Sequence, residues 1–128
     1  MPPLTIQLPL PPEECHPNIR CHRMQKYRVM KKYRGDCKML AIKAMREQKH
    51  RGWEEGKVRV IPHWYFTDRR QRDMDNLSAS LKAAFDGLQD AGVVKNDNQF
   101  ISWPDTDGPT ISKYNPHVIL ELEAIADL

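Results

Sequence analysis

Strand-like alternation at both ends of the chain, two segments of helical spacing between them, and turn residues separating each pair predict an α+β domain. The expected order is β, α, β, α, β, β, β, giving one small mixed β-sheet and two main helices. At 128 residues the chain suits a single domain, 1–128, with a modest core.

Leu4, Ile6, Leu8 and Leu10 alternate with polar residues and Pro9, so the first strand is expected half-buried and, because of the proline, at an edge. Residues 11–25 are rich in Pro, His and Cys without periodicity and read as a loop. From Tyr27 to Lys49, Met30, Tyr33, Cys37, Leu40, Ala41 and Ala44 form one helical stripe, with Lys31, Lys38, Arg46 and Lys49 opposite. Gly52 to Gly56 mark a turn. Lys57 to Thr67 reads as a strand in which Pro62 implies an edge, a bulge or a bend.

Asp68 to Arg72 is a polar, arginine-rich connection. A second helix is expected from Asn76 to Ala91, burying Leu77, Leu81, Phe85 and Leu88, with Gly92 just past its end. Asn96-Asp97-Asn98 and Asp105 to Pro109 are turns. Phe100–Trp103, Thr110–Tyr114 and His117–Glu123 complete the strands.

No apolar run approaches the roughly 20 residues of a membrane helix, and Met1-Pro2-Pro3 lacks the basic start of a signal peptide. Three cysteines cannot all pair within one chain, so a reduced, cytoplasmic protein is expected. No glycine-rich phosphate loop is present, and no nucleotide cofactor is expected. The net charge of +3 conceals a division. Residues 1–72 hold 17 Lys/Arg and 7 Asp/Glu, while residues 73–128 hold 3 and 10. A basic half of this kind points to a polyanion such as nucleic acid, ahead of the alternative that the two halves neutralise each other in the fold.

The acidic half contains Asp73-Met74-Asp75-Asn76 at a helix start, then Lys82, then Asp97. Two carboxylates sharing a site repel, and a divalent cation relieves the repulsion. Hard oxygen ligands suit Mg²⁺ or Mn²⁺, which catalyse displacement at phosphate, and an ammonium beside them would hold a phosphate oxygen or stabilise developing charge. Ordinary helix capping explains Asp-x-Asp-Asn equally well from spacing alone. Asp86, four residues after Lys82, is placed to compete for it as an ion pair. An aspartyl-phosphatase nucleophile pair is disfavoured, because an arginine-rich segment rather than a buried strand precedes the motif.

From Arg72 to Phe100 the sequence resembles the RusA family of Holliday junction resolvases, many of them carried by phages. The matching text is Asp73-Met74-Asp75-Asn76-Leu77, Lys82-Ala83-Ala84-Phe85-Asp86-Gly87-Leu88, Asp90-Ala91-Gly92-Val93-Val94 and Asn96-Asp97-Asn98-Gln99. The resemblance implies a RusA-like fold, Asp73, Asp75 and Asp97 as catalytic ligands of Mg²⁺, and Lys82 as the active-site lysine. It further implies a homodimer that cuts four-way DNA junctions in two strands symmetrically. Arg69, Arg70 and Arg72 are then candidate phosphate contacts, against a solvated polar turn. In two places the chain departs from the family pattern. Ser78-Ala79-Ser80 lengthens the stretch before Lys82 by three residues, and Asn96 replaces the first Asp of the family's pair. A metal nuclease for other branched DNA, and a non-catalytic DNA-binding protein of the same fold, are the alternatives.

Cys15-His16 and Cys21-His22 match no standard zinc spacing and are expected to lie in a loop. Trp53, Trp64 and Trp103 are expected to pack rather than to stack on bases, and Lys113 to be an exposed strand lysine.

Overall fold

Five strands form one mixed sheet in the computed structural model, which describes residues 1–126; the last two residues of the expected 1–128 domain lie outside the described residues. The strands are β1 (Leu4–Leu8), β2 (Val58–Phe66), β3 (Phe100–Ser102), β4 (Thr110–Ile111) and β5 (His117–Ala124). Their order is β1-β5-β2-β3, with β4 also pairing with β2. β5 runs antiparallel to both β1 and β2, whereas β3 and β4 run parallel to β2. The α+β class with a mixed sheet, and the edge position of β1, are as the sequence predicts.

Pro62 nevertheless lies in a central strand, and the register explains why it is tolerated. On the side away from β5, β3 pairs with Val58–Val60 and β4 with Tyr65–Phe66, leaving the middle of β2 without a strand partner. The Val60 and Phe66 carbonyls both accept bonds on that side, from Trp103 and Ser112. By strand alternation the Pro62 nitrogen faces the same way, so its missing N–H falls in the gap.

Alternation also divides the sheet into two faces. Leu4, Ile6, Leu8, Val58, Val60, Trp64, Phe66, Val118, Leu120 and Leu122 are buried and join one hydrophobic core with the helices. Helix α1 (Arg23–Glu47) contributes Tyr33, Cys37, Ala41 and Ala44 to that core. It begins four residues before the expected start, because the His22 ring nitrogen Nδ1 accepts the Met24 N–H and caps it. Lys31, Lys38, Arg46 and Lys49 are exposed, as expected.

The second expected helix is two helices, α2 (Met74–Ala79) and α3 (Lys82–Ala91). Ser80 and Leu81 separate them with ψ of −13° and 0°. The buried Ser80 hydroxyl donates to the Leu77 carbonyl at 2.6 Å, and the Leu81 N–H reaches Ser78, a tight three-residue closure that ends the first helix. Leu77, Leu81 and Leu88 are still buried, as their spacing predicts, whereas Phe85 is only partly buried and packs against Phe100. Gly92, with φ of 87°, closes α3 in a left-handed conformation as Val93 N–H bonds back to Leu88.

The opposite face of the sheet carries a polar cluster the sequence does not announce. His63 Nδ1 lies 2.9 Å from Asp105 Oδ2, and its Nε2 lies 2.8 Å from Glu121 Oε2. Both nitrogens can donate only in the charged ring. Partial burial pulls the His63 pKa down, but the bonds to Glu121 and Asp105 outweigh it and the net shift is upward. With the folded pKa above the unfolded value of about 6.5, this stabilisation is complete below that pH and is lost as pH rises through the folded pKa. The urea midpoint is therefore expected to fall between roughly pH 6 and pH 8, and to fall less in His63→Gln. Parallel urea titrations of the two proteins at both pH values check it; equal falls would remove His63 as the cause.

Candidate active site

Each carboxylate singled out from the sequence sits at the start of a short turn or helix, and each has different partners there. Asp73 is the N-cap of α2: its Oδ1 accepts the N–H groups of Asp75 and Asn76 at 3.0 and 3.3 Å. The Asn76 side chain donates to Asp73 Oδ2 at 3.2 Å, so Asn76 orients this carboxylate. Asp75, in the first turn of the helix, is exposed and makes no hydrogen bond through its carboxylate among the described residues.

Asp97 opens a short 3-10 turn, Asp97–Gln99. Asn96 caps this turn, its side chain accepting the Asn98 N–H at 3.1 Å, while Gln99 Oε1 accepts the N–H groups of Lys95 and Asn96. The asparagine at the departure from the family pattern therefore does capping work. Gln99 also donates to the carbonyls of Trp53 and Gly56, anchoring the turn to the core side. A further support comes from Gln89 on α3, whose Oε1 accepts the Asp97 N–H at 2.8 Å.

Lys82 begins α3 immediately after the helix break, at the stretch the three extra residues lengthen. Its Nζ donates to Asp97 Oδ2 at 2.7 Å and to Asp86 Oδ1 at 2.9 Å. A continuous helix shifted by three residues would have rotated the lysine by most of a turn; beyond the break it meets Asp97 directly. The bond to Lys82 holds the Asp97 carboxyl below its ordinary pKa, and the bonds to Asp97 and Asp86 raise that of Lys82. Both groups are thus charged across the neutral range.

The carboxylates supply hard anionic oxygens, the donor chemistry that Mg²⁺ and Mn²⁺ take. Among the described residues, however, no three His, Cys, Asp or Glu side chains are gathered so as to hold one ion. The fit is thus one of donor chemistry: Lys82 and Asp97 are brought together across 15 residues, while Asp73 and Asp75 stand at the far end of α2.

The arginine-rich connection divides in role. Arg72 is turned inward: its guanidinium lies 3.8 Å from the centre of the Phe66 ring and donates to Asp68 Oδ1 and to the carbonyls of Asp68 and Arg70. Arg69 and Arg70 are exposed beside it. Asp68 also accepts the Arg70 N–H, and that bond with the Arg72 pair lowers its pKa.

Sequence reasoning missed Gln89 and a bidentate pair, Arg34 to Asp90 at 2.6 and 2.8 Å, that ties α1 to α3. The Asn96-to-Gln99 spacing is a capping-box signal that could have been read; nothing local announces Arg34 and Asp90, 56 residues apart. Cys15 and Cys37 are buried, Cys21 is partly exposed, and all three are free thiols. Trp64 is buried and Trp53 nearly so, whereas Trp103 is half-exposed with the Arg59 guanidinium 5.1 Å from its ring. Lys113 is exposed but lies past β4, which is shorter than the expected Thr110–Tyr114 strand. Among the described residues no helix is long and apolar enough to cross a membrane.

The structure thus combines a mixed sheet backed by α1 and α3 with a lysine–aspartate contact at the start of α3. The family model described as Endodeoxyribonuclease RusA matches residues 16–123, and the chain belongs to that family. It is also similar to an uncharacterized protein of Xylella fastidiosa (strain Temecula1 / ATCC 700964), 29% identical over 106 residues. That match covers 78% of this chain and 64% of the relative, so the chain spans somewhat less than two thirds of the relative's length.

Proposed function

We propose that this protein is a Mg²⁺-dependent, structure-selective endodeoxyribonuclease that resolves four-way DNA junctions by paired, symmetric phosphodiester hydrolysis. Mn²⁺ is the natural substitute ion. The observation that carries the reading is the Lys82–Asp97 contact, which brings two widely separated elements of the family's motif together despite the lengthened helix entry. The family pattern assigns the divalent ion to Asp73, Asp75 and Asp97, which are not gathered around one point among the described residues; when bound, the ion would supply Lewis acidity at phosphate. Asn76 and Gln89 orient Asp73 and Asp97 respectively, and Lys82 offers a fixed positive charge where the leaving oxygen gains negative charge. Arg69 and Arg70 hold flanking phosphates, and Arg72 braces the loop that presents them. A homodimer with two equal sites suits the near two-fold symmetry of a junction.

The test uses a synthetic four-way junction beside a linear duplex of the same sequence. Paired symmetric nicks in the junction are expected with Mg²⁺ and none with EDTA. Equal cutting of the duplex would remove junction selectivity, and cutting that survives EDTA would remove the metal requirement. Junction affinity is expected to fall steeply with salt, and Arg69→Ala and Arg70→Ala each to lower the slope of log K against log salt by about 1. Binding titrations at several salt concentrations measure this; an unchanged slope takes the arginines off the DNA.

A further inference from the structure

Resting on the function just proposed, we infer that Asp86 is a positioning residue of the reaction, acting through Lys82. The two lie one helical turn apart on α3, and Lys82 Nζ is shared between Asp86 Oδ1 at 2.9 Å and Asp97 Oδ2 at 2.7 Å. The lysine side chain is 62% exposed, so packing alone does not hold it; two carboxylates on either side of the ammonium do. The Asp86 side chain is 25% exposed, the more enclosed member of the trio beside Asp97 at 33%. Arg34, a neighbouring cation on α1, is occupied by a bidentate bond to Asp90, and the cation hydrogen-bonded to Asp86 among the described residues is Lys82.

Sharing has a chemical consequence. A lysine bound to Asp97 alone would satisfy that carboxylate and oppose its use as a ligand. A second acceptor lets the ammonium stay at the site while Asp97 turns to another cation. An ordinary surface ion pair at this spacing contributes only to helix stability, so the two roles separate by experiment.

Single-turnover nicking of the four-way junction with Mg²⁺ is compared for the parent, Asp86→Asn, Asp86→Glu, Lys82→Met and the Asp86→Asn/Lys82→Met double variant. Asp86→Asn is expected to slow nicking by about 10-fold or more, as loss of an orienting partner does, with the junction Kd unchanged. Asp86→Glu is expected to recover most of the rate, and Asp86→Asn to add no further loss in the Lys82→Met background. A parental rate in Asp86→Asn, or an equal further loss in the double variant, overturns the proposal.

A readout independent of activity is the ammonium 1H–15N spectrum of the free protein. The Lys82 signal, assigned by its absence from Lys82→Met, is expected to move in Asp86→Asn and to return in Asp86→Glu. A signal unmoved by Asp86→Asn overturns the inference whatever DNA is cut. A parent that nicks no junction strikes the proposed function instead, and the spectrum still decides whether Asp86 holds Lys82.

Discussion

Asp75→Asn is expected to abolish junction cleavage while leaving junction binding intact. The substitution keeps size and shape but removes the negative charge and one of the oxygens proposed to bind the ion. Loss of a partner that merely orients a metal ligand commonly costs 10- to 100-fold, so loss of a ligand itself is expected to slow nicking by more than about 100-fold. Asp75 is the better test position of the first pair, because Asp73 also caps α2 and a change there mixes folding with chemistry. The Asp75 carboxylate is exposed and without hydrogen bonds among the described residues, so thermal stability should not move. Affinity should persist, since the exposed Arg69 and Arg70 lie outside the exchange. Gel-shift binding and single-turnover nicking of one preparation measure both quantities. Cleavage at the parental rate would take Asp75 out of the site.

Gly87→Ala is expected to be the most destabilising single-methyl change between the helices. Gly87 lies in the middle of α3, where alanine would normally be preferred by about 1 kcal/mol. Here a Cβ would sit 2.4 Å from the Arg34 carbonyl oxygen, 3.0 Å from Cys37 Cβ and 3.1 Å from the Lys38 nitrogen. Two of those three atoms are backbone of α1 and cannot swing aside, so the helices must separate. Overpacking of this kind costs about 1–3 kcal/mol, which for a chain of this size lowers the Tm by roughly 4–12 °C. Gly35→Ala on α1 is the matched control. Nothing lies within 4 Å of its Cβ position, and the intrinsic preference should appear there as a gain of about 0.5–1 kcal/mol. Thermal and urea unfolding of the two variants beside the parent give the comparison; a Gly87→Ala protein as stable as the parent would mean that the helices are not in contact as described.

Much of the architecture is legible in periodicity. The two faces of β2 and β5, the buried stripe of α1 and the glycine end of α3 follow from residue spacing, because burial imposes a period of two on strands and 3.6 on helices. The helix break at Ser80–Leu81 does not follow. Leu77, Leu81 and Leu88 keep helical spacing through it, so the apolar pattern is blind to a closure made by one serine hydroxyl and one shortened backbone bond. Pro62 in a central strand is hidden for a related reason: whether its missing N–H matters depends on where β3 ends and β4 begins, which only the assembled sheet defines.

The candidate site divides the same way. The sequence by itself determined the family and the candidate residues: the ordered run from Asp73 through Asp97 places acids and one lysine in the pattern of the family to which the chain belongs. Only the tertiary structure decided which of them touch. Lys82 meets Asp97 across 15 residues, with Asp86 as a second acceptor and Gln89 holding the Asp97 backbone, while Arg72 turns inward onto Phe66 and leaves Arg69 and Arg70 exposed. Side-chain type is written residue by residue, but a contact between distant residues depends on how the helices and turns between them bend and pack. In this chain a buried serine sets that bend just before the lysine.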